Sequence, residues 1–307
     1  MPVKVIHTKI TTSITPGLES MTTVSSPQAL FRALGLLRLL QLSSSCVAFS
    51  IVVHMEAWTG PMGNWCLFSW FFSFFVTLII LIVELSGLHS RFSKSWLEIP
   101  ITCACYATLF CLTSSIIYPT TYVRFMSHGY ARNQAIRASI FSCIACLAYG
   151  TEVIWTLERP GHGSSYMTTL PGMLKIMESF IACLIFAFLS NRYLYGHEPA
   201  LEWCVAVYSI SFILTMLVIL PTLGNFTITF PNFLRSISFI CVLLYSTAMV
   251  LWPLYHFSEG FRGQPNREKD SSCGGSYTVC SWDRKLTVAV LTGANLLLYT
   301  FDFINYG

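Results

Sequence analysis

The chain has 307 residues, 54% of them hydrophobic and 10% charged, with 18 Lys and Arg against 14 Asp and Glu for a net charge of +4. A soluble domain carries about 25% charged residues, so a mean hydropathy of +0.62 excludes water as the main solvent. No run of consecutive Lys or Arg could neutralise a row of phosphates, which excludes nucleic acid as a partner.

Residues 1–29 are rich in Thr and Ser with Pro16, Gly17 and Pro27 and lack the apolar core of a cleavable signal peptide, so they are predicted to form a disordered cytosolic tail. Eight apolar segments follow, at 34–53, 65–88, 99–118, 136–157, 174–190, 200–220, 233–255 and 286–305, each bounded by Gly, Pro, Asn or charge. Each approaches the roughly 20 residues that cross a ~30 Å hydrocarbon core as a helix. Trp58, Trp65, Trp96, Trp203, Trp252, Tyr255 and Trp282 fall at segment ends, where interfacial aromatic belts are expected.

The second half repeats the first. Residues 35–41 (GLLRLLQ) open segment one as 172–178 (GMLKIME) open segment five, and Cys46 and Phe49 recur in register as Cys183 and Phe186. Trp65-Cys66 answers Trp203-Cys204, Tyr118-Pro119 answers Trp252-Pro253, and the last helices share Tyr149 with Glu152 and Tyr299 with Asp302. This order predicts a duplicated four-helix unit, residues 30–158 and 168–305, with the copies parallel because an even number of helices separates them.

Orientation rests on the first hairpin. Lys4, Lys9, Arg32, Arg91 and Lys94 flank a loop, 54–64, without Lys or Arg, which places the N-terminus inside. The remaining basic residues level the whole-chain count, so charge counting alone does not settle it.

Arg38 and Lys175 lie about one turn into helices entering the membrane, and Glu84, Glu152 and Asp302 about one turn before the ends of helices returning to the same side. Intramembrane charge is costly and finds a partner facing the bundle interior. The structural expectation pairs Arg38 with Glu152 or Glu84, and Lys175 with Asp302 or its neighbour Glu178. The functional alternative is a proton or ion path, which would call for charge through the midplane, where the sequence has none.

Ten of the twelve cysteines sit in apolar runs as small hydrophobes, the Cys143 and Cys146 pair included. Cys273 and Cys280 instead enclose six residues of a polar loop and form a disulfide candidate on an oxidising side. His197-Glu198 lacks the second His of a zinc protease, and the 225–227 sequon is expected cytosolic and unused. No phosphate-binding loop, dinucleotide fingerprint or nucleophile elbow occurs, and no pattern calls for a metal or cofactor, so no enzymatic activity is expected.

Residues 34–42 (LGLLRLLQL), 57–60 (AWTG), 63–65 (GNW), 76–85 (VTLIILIVEL), 116–122 (IIYPTTY), 141–146 (FSCIAC), 199–207 (PALEWCVAV) and 250–255 (VLWPLY) resemble the myeloid-associated differentiation marker family over nearly the whole chain. That resemblance implies an all-α membrane protein of two tandem four-helix MARVEL-type bundles. It also implies a plasma-membrane or vesicle protein that organises ordered, cholesterol-rich membrane as a scaffold in traffic, apposition or cortical linkage. The alternative class is a small-solute transporter or channel. Expected partners are membrane lipids, membrane or cortical proteins reached through the N-terminal tail and short loops, and a second copy of the chain. The basic N-terminal flank, the uncharged first loop and the even helix count put both termini on the cytosolic side, and with the sequence stopping at Tyr306-Gly307 no C-terminal tail is expected as a partner site.

Overall fold

The computed structural model describes residues 27–56, 58–87, 95–158, 166–190, 194–196, 198–224, 231–261, 263–267 and 280–305. The expected tail up to residue 26, His197, the 225–227 sequon, Cys273 and Tyr306-Gly307 lie outside the described residues, as does the side chain of Trp96.

Eight helices long and apolar enough to cross a membrane follow one another: α1 Pro27–His54, α2 Gly60–Leu85, α3 Ser95–Thr121, α4 Tyr130–Leu157, α5 Leu170–Phe188, α6 Pro199–Leu223, α7 Pro231–Phe257 and α8 Ser281–Asn305. Most exceed the segments read from hydropathy because polar first turns continue them: α4 begins at Tyr130, well before residue 136, and α1 takes in residues 27–29 of the expected tail. The shortest, α5, has 19 residues, or roughly 28 Å at 1.5 Å per residue, just enough to span. Pro119 and Pro253 sit inside their helices. The chain stays helical to Thr121 and Phe257, since neighbouring helices stabilise a freed carbonyl inside a bundle.

In each half, consecutive helices pack side by side and the first returns against the fourth, closing the rings α1–α2–α3–α4 and α5–α6–α7–α8. Helices α2 and α3 of the first ring touch α5, and α3 also touches α6. Several contacts among the described residues join the halves. At the start of α3 the Glu98 carboxylate accepts the backbone N–H of Tyr166 at 2.9 Å and of Met167 at 3.0 Å, holding the turn that leads into α5. Deeper in, Tyr106 and Ser179 share a hydrogen bond. The rings of Trp65, Phe110 and Phe180 form an aromatic cluster, with centroids 5.3 Å apart for Trp65–Phe110 and 5.5 Å for Phe110–Phe180.

Glycine is required where α5 begins. Thr169 caps the helix, its hydroxyl accepting from Gly172 N at 3.5 Å, and a Cβ on Gly172 would lie 2.3 Å from the Tyr166 carbonyl oxygen and 2.7 Å from Met167 Cα. Both are backbone atoms of the linker that Glu98 fixes. Gly35, on α1, has open space where a Cβ would go. Gly172→Ala should therefore destabilise by about 1–3 kcal/mol, the usual cost of forcing atoms into a packed site. Gly35→Ala should leave stability unchanged or slightly raised. Unfolding midpoints in mixed micelles check this pair, and equal midpoints would refute the close approach.

Candidate functional site: two buried charge clusters and a hydroxyl ladder

Glu98, at the start of α3, lies at the same end of the first ring as the end of α2, and it touches the residues just before α5. The early residues of α1 and α5 and the late residues of α2, α4 and α8 therefore share one end of the molecule. Both charge clusters form there.

In the first ring, Arg38 Nη2 lies 2.8 Å from Glu152 Oε1 and its Nε donates to the same oxygen at 2.9 Å. Arg38 also pairs with Glu84 of α2. Gln41, one turn further along α1, donates from Nε2 to Glu152 Oε2 at 2.7 Å and to the Ala148 carbonyl at 3.2 Å. Arg38 thus bonds both carboxylates between which the sequence left a choice. Its side chain is 4% exposed, whereas Glu84 keeps 33% at the rim. Beneath them lies a small cavity lined by Gln41, Thr77, Tyr149 and Glu152 among others.

In the second ring, Lys175 Nζ lies 2.9 Å from Glu178 Oε2 and 2.7 Å from Asp302 Oδ2, and it donates to Ser238 Oγ at 3.1 Å. Ser238 donates in turn to Asp302 Oδ2. Lys175 sits 5.5 Å from the centroid of the Tyr299 ring. All three charged side chains are 0% exposed.

Sequence reasoning missed what lies between these clusters and the far side: a ladder of interhelical hydroxyl and indole bonds, laid out alike in both rings. Trp70 Nε1 donates to Ser142 Oγ at 2.9 Å, as Tyr208 Oη pairs with Thr292 Oγ1 at 2.8 Å. Thr77 pairs with the Tyr149 hydroxyl at 2.6 Å, as Thr215 pairs with that of Tyr299 at 2.8 Å. Tyr149 donates to the Ser73 carbonyl and Tyr299 to that of Ser211. Trp65 Nε1 reaches Thr113 Oγ1 at 3.2 Å and Trp203 Nε1 reaches Thr247 Oγ1 at 3.1 Å. The signal was present as Ser, Thr and Tyr recurring on one face of each segment, hidden by the apolar residues around it.

Two aromatics expected at the interface point inward. Trp252 is fully buried and donates Nε1 to the Lys285 carbonyl, and Trp65 is covered by the second ring. A bundle interior that supplies an acceptor for the indole N–H suits Trp as well as a headgroup region does. Trp58 and Trp203 remain exposed. Across the far end, Arg267 makes a bidentate pair with Asp283 at 2.9 Å for both bonds, and that hydrogen-bonded carboxylate raises the guanidinium above its ordinary pKa. Cys280, buried beside this pair, takes part in a disulfide. Cys143 and Cys146 are both free thiols.

The clusters act chemically as clamps, since each ties the first helix of its ring to the fourth. Removing one member of a buried pair strands the other and costs about 3–5 kcal/mol, more than removing both. Arg38→Leu should lower folded yield sharply, and Arg38→Leu with Glu152→Gln should recover part of it. Fluorescence size-exclusion yield measures both, and a double variant no better than the single would refute the pairing.

With this geometry in view, comparison with known proteins places the chain. The membrane-associating domain, MARVEL, matches residues 29–155 and again 166–304. The human myeloid-associated differentiation marker is 59% identical over 99% of this chain and 97% of its own length. The orangutan (Pongo abelii) protein of the same name is 61% identical over 94% of this chain and 92% of its own. The rat myeloid-associated differentiation marker-like protein 2 is 37% identical over 87% and 89%. No solved structure matches. Two matched domains, eight spanning helices and near full-length relatives lead to one conclusion: this chain is a multi-pass membrane protein that belongs to the myeloid-associated differentiation marker family of tandem MARVEL proteins.

Proposed function

We propose that the protein is a non-enzymatic organiser of ordered, cholesterol-rich membrane, acting as a scaffold in membrane traffic, apposition or cortical linkage. The observation that carries this reading is where the polar groups go. Intramembrane charges and hydroxyls are bonded helix to helix, closing each ring on itself. The perimeter is apolar: Phe68, Phe71 and Phe75 project from α2, Leu147 and Ile154 from α4, and Val290 and Leu297 from α8. A bundle that spends its polar side chains on its own closure and shows lipid an aromatic and aliphatic surface is suited to packing against acyl chains and sterol. The proposed partners are membrane lipids, a second copy of the chain, and membrane or cortical proteins reached from the cytosolic tail and loops. Protein reconstituted into giant vesicles with coexisting phases should partition into or border the ordered phase, and liposomes carrying it should leak no more protons or ions than empty ones. Confinement to the disordered phase would sink the scaffold reading, and specific flux would promote a small-solute transporter or channel in its place.

The proposed topology sets both termini in the cytosol and both charge clusters at the cytosolic end of the bundle in a plasma-membrane or vesicle protein, and pairs Cys280 with Cys273 on the opposite, oxidising side. Tags at residue 1 and after Gly307 should be stained only after permeabilisation, and a non-reducing digest of surface protein should yield a bridged 273–280 peptide. Staining of either tag in intact cells would overturn this topology, and free thiols at both positions would remove the bridge and reopen the orientation.

A further inference from the structure

We propose that the charge cluster of the second ring is a proton-binding site, in which Glu178 is held as a neutral acid whose hydrogen bridges Glu178 Oε1 to Asp302 Oδ1.

The argument begins with charge. Fully ionised, Lys175, Glu178 and Asp302 sum to one surplus negative charge, and so do Arg38, Glu84 and Glu152. The first ring can carry its surplus because Glu84 is 33% exposed at the rim. The second cannot: all three of its side chains are 0% exposed, inside a bundle that itself sits in lipid. An uncompensated charge is least tolerable in such a place.

Hydrogen-bond accounting points to the same spot. Lys175 and Ser238 occupy Glu178 Oε2 and Asp302 Oδ2. The other oxygen of each carboxyl, Glu178 Oε1 and Asp302 Oδ1, is buried with no hydrogen-bond partner among the described residues. Two buried acceptors of one cluster, on carboxyls that share Lys175, lack a donor, and one proton supplies it. Asn295, fully buried on α8, spends its Nδ2 on the Glu178 carbonyl at 3.2 Å and the Tyr245 hydroxyl at 2.8 Å, so its side-chain amide does not fill the gap.

The repeat provides the third line. Gln41 holds on α1 the place that Glu178 holds on α5, three residues after the basic side chain, and Glu152 holds the place of Asp302. There an uncharged group donates to the carboxylate of the fourth helix, Gln41 Nε2 to Glu152 Oε2 at 2.7 Å. A protonated Glu178 reproduces that bond with an O–H in place of an N–H. The cluster then becomes neutral overall, with every carboxyl oxygen bonded. Its proton is a fixed structural ligand, enclosed by α5, α7 and α8.

Infrared spectroscopy of the purified protein in nanodiscs at neutral pH tests this, because ionised carboxylates do not contribute to the carboxylic-acid C=O region. Wild-type protein should show a carboxylic-acid band that Glu178→Gln removes. That variant, isosteric with the neutral acid, should match wild type in folded yield and unfolding midpoint. Absence of the band from wild type, its persistence in Glu178→Gln, or loss of folded protein in that variant would each overturn the proposal. So would a band lost in Asp302→Asn but retained in Glu178→Gln, since it would put the proton on the other carboxyl.

Discussion

A charge inside hydrocarbon has nowhere to be solvated except by the protein itself, and each ring of this molecule is arranged around that demand. Arg38 enters on the first helix and finds Glu152 on the fourth; Lys175 and Asp302 repeat the arrangement. Because these partners come from the two ends of a four-helix segment, satisfying them closes the ring. The same choice fixes which end of the fourth helix lies beside the start of the first. Closure by charge is a matter of specificity more than of net energy, since a buried pair roughly offsets its own desolvation.

Away from the clusters, helices in lipid have little hydrophobic reason to prefer one another over acyl chains, and association relies on packing and interhelical hydrogen bonds. The ladder of Trp70 with Ser142, Thr77 with Tyr149 and their counterparts in the second ring fits that role. Each such bond is worth only about 0.6 kcal/mol on average, so its value lies in register. An indole or phenol can reach its hydroxyl partner at one setting of two helices and not at the next turn. Small residues allow the approach, with Ala135, Ala138, Ala145 and Ala148 buried along α4.

Duplication produced two rings whose equivalent surfaces do different work. Trp65 makes the same bond as Trp203, yet it is buried against Phe180 while Trp203 remains open. The difference comes from which ring follows which. The chain leaves α4, is caught by Glu98, and must start α5 beside α2 and α3. Among the described residues, the second ring covers that face of the first. The charge clusters diverged in the same way, the second carboxylate moving from the exposed end of α2, Glu84, to the sealed interior of α5, Glu178.

The amino-acid sequence determined the class, the number of helices, the duplication and the set of intramembrane charges, because a 20-residue apolar run and a charge within it follow from transfer energetics that act one residue at a time. It narrowed each cluster to a basic residue and two acids without deciding between them. Only the tertiary structure decided that Arg38 and Lys175 each bond both candidates, that Trp65 and Trp252 face inward, and that Ser, Thr and Tyr residues form a ladder. The physical reason is that a helix face acquires meaning only from the helix opposite. A hydroxyl among leucines reads as neutral filler until a partner two helices further along the chain, at 2.6 Å for Thr77 and Tyr149, makes it a joint.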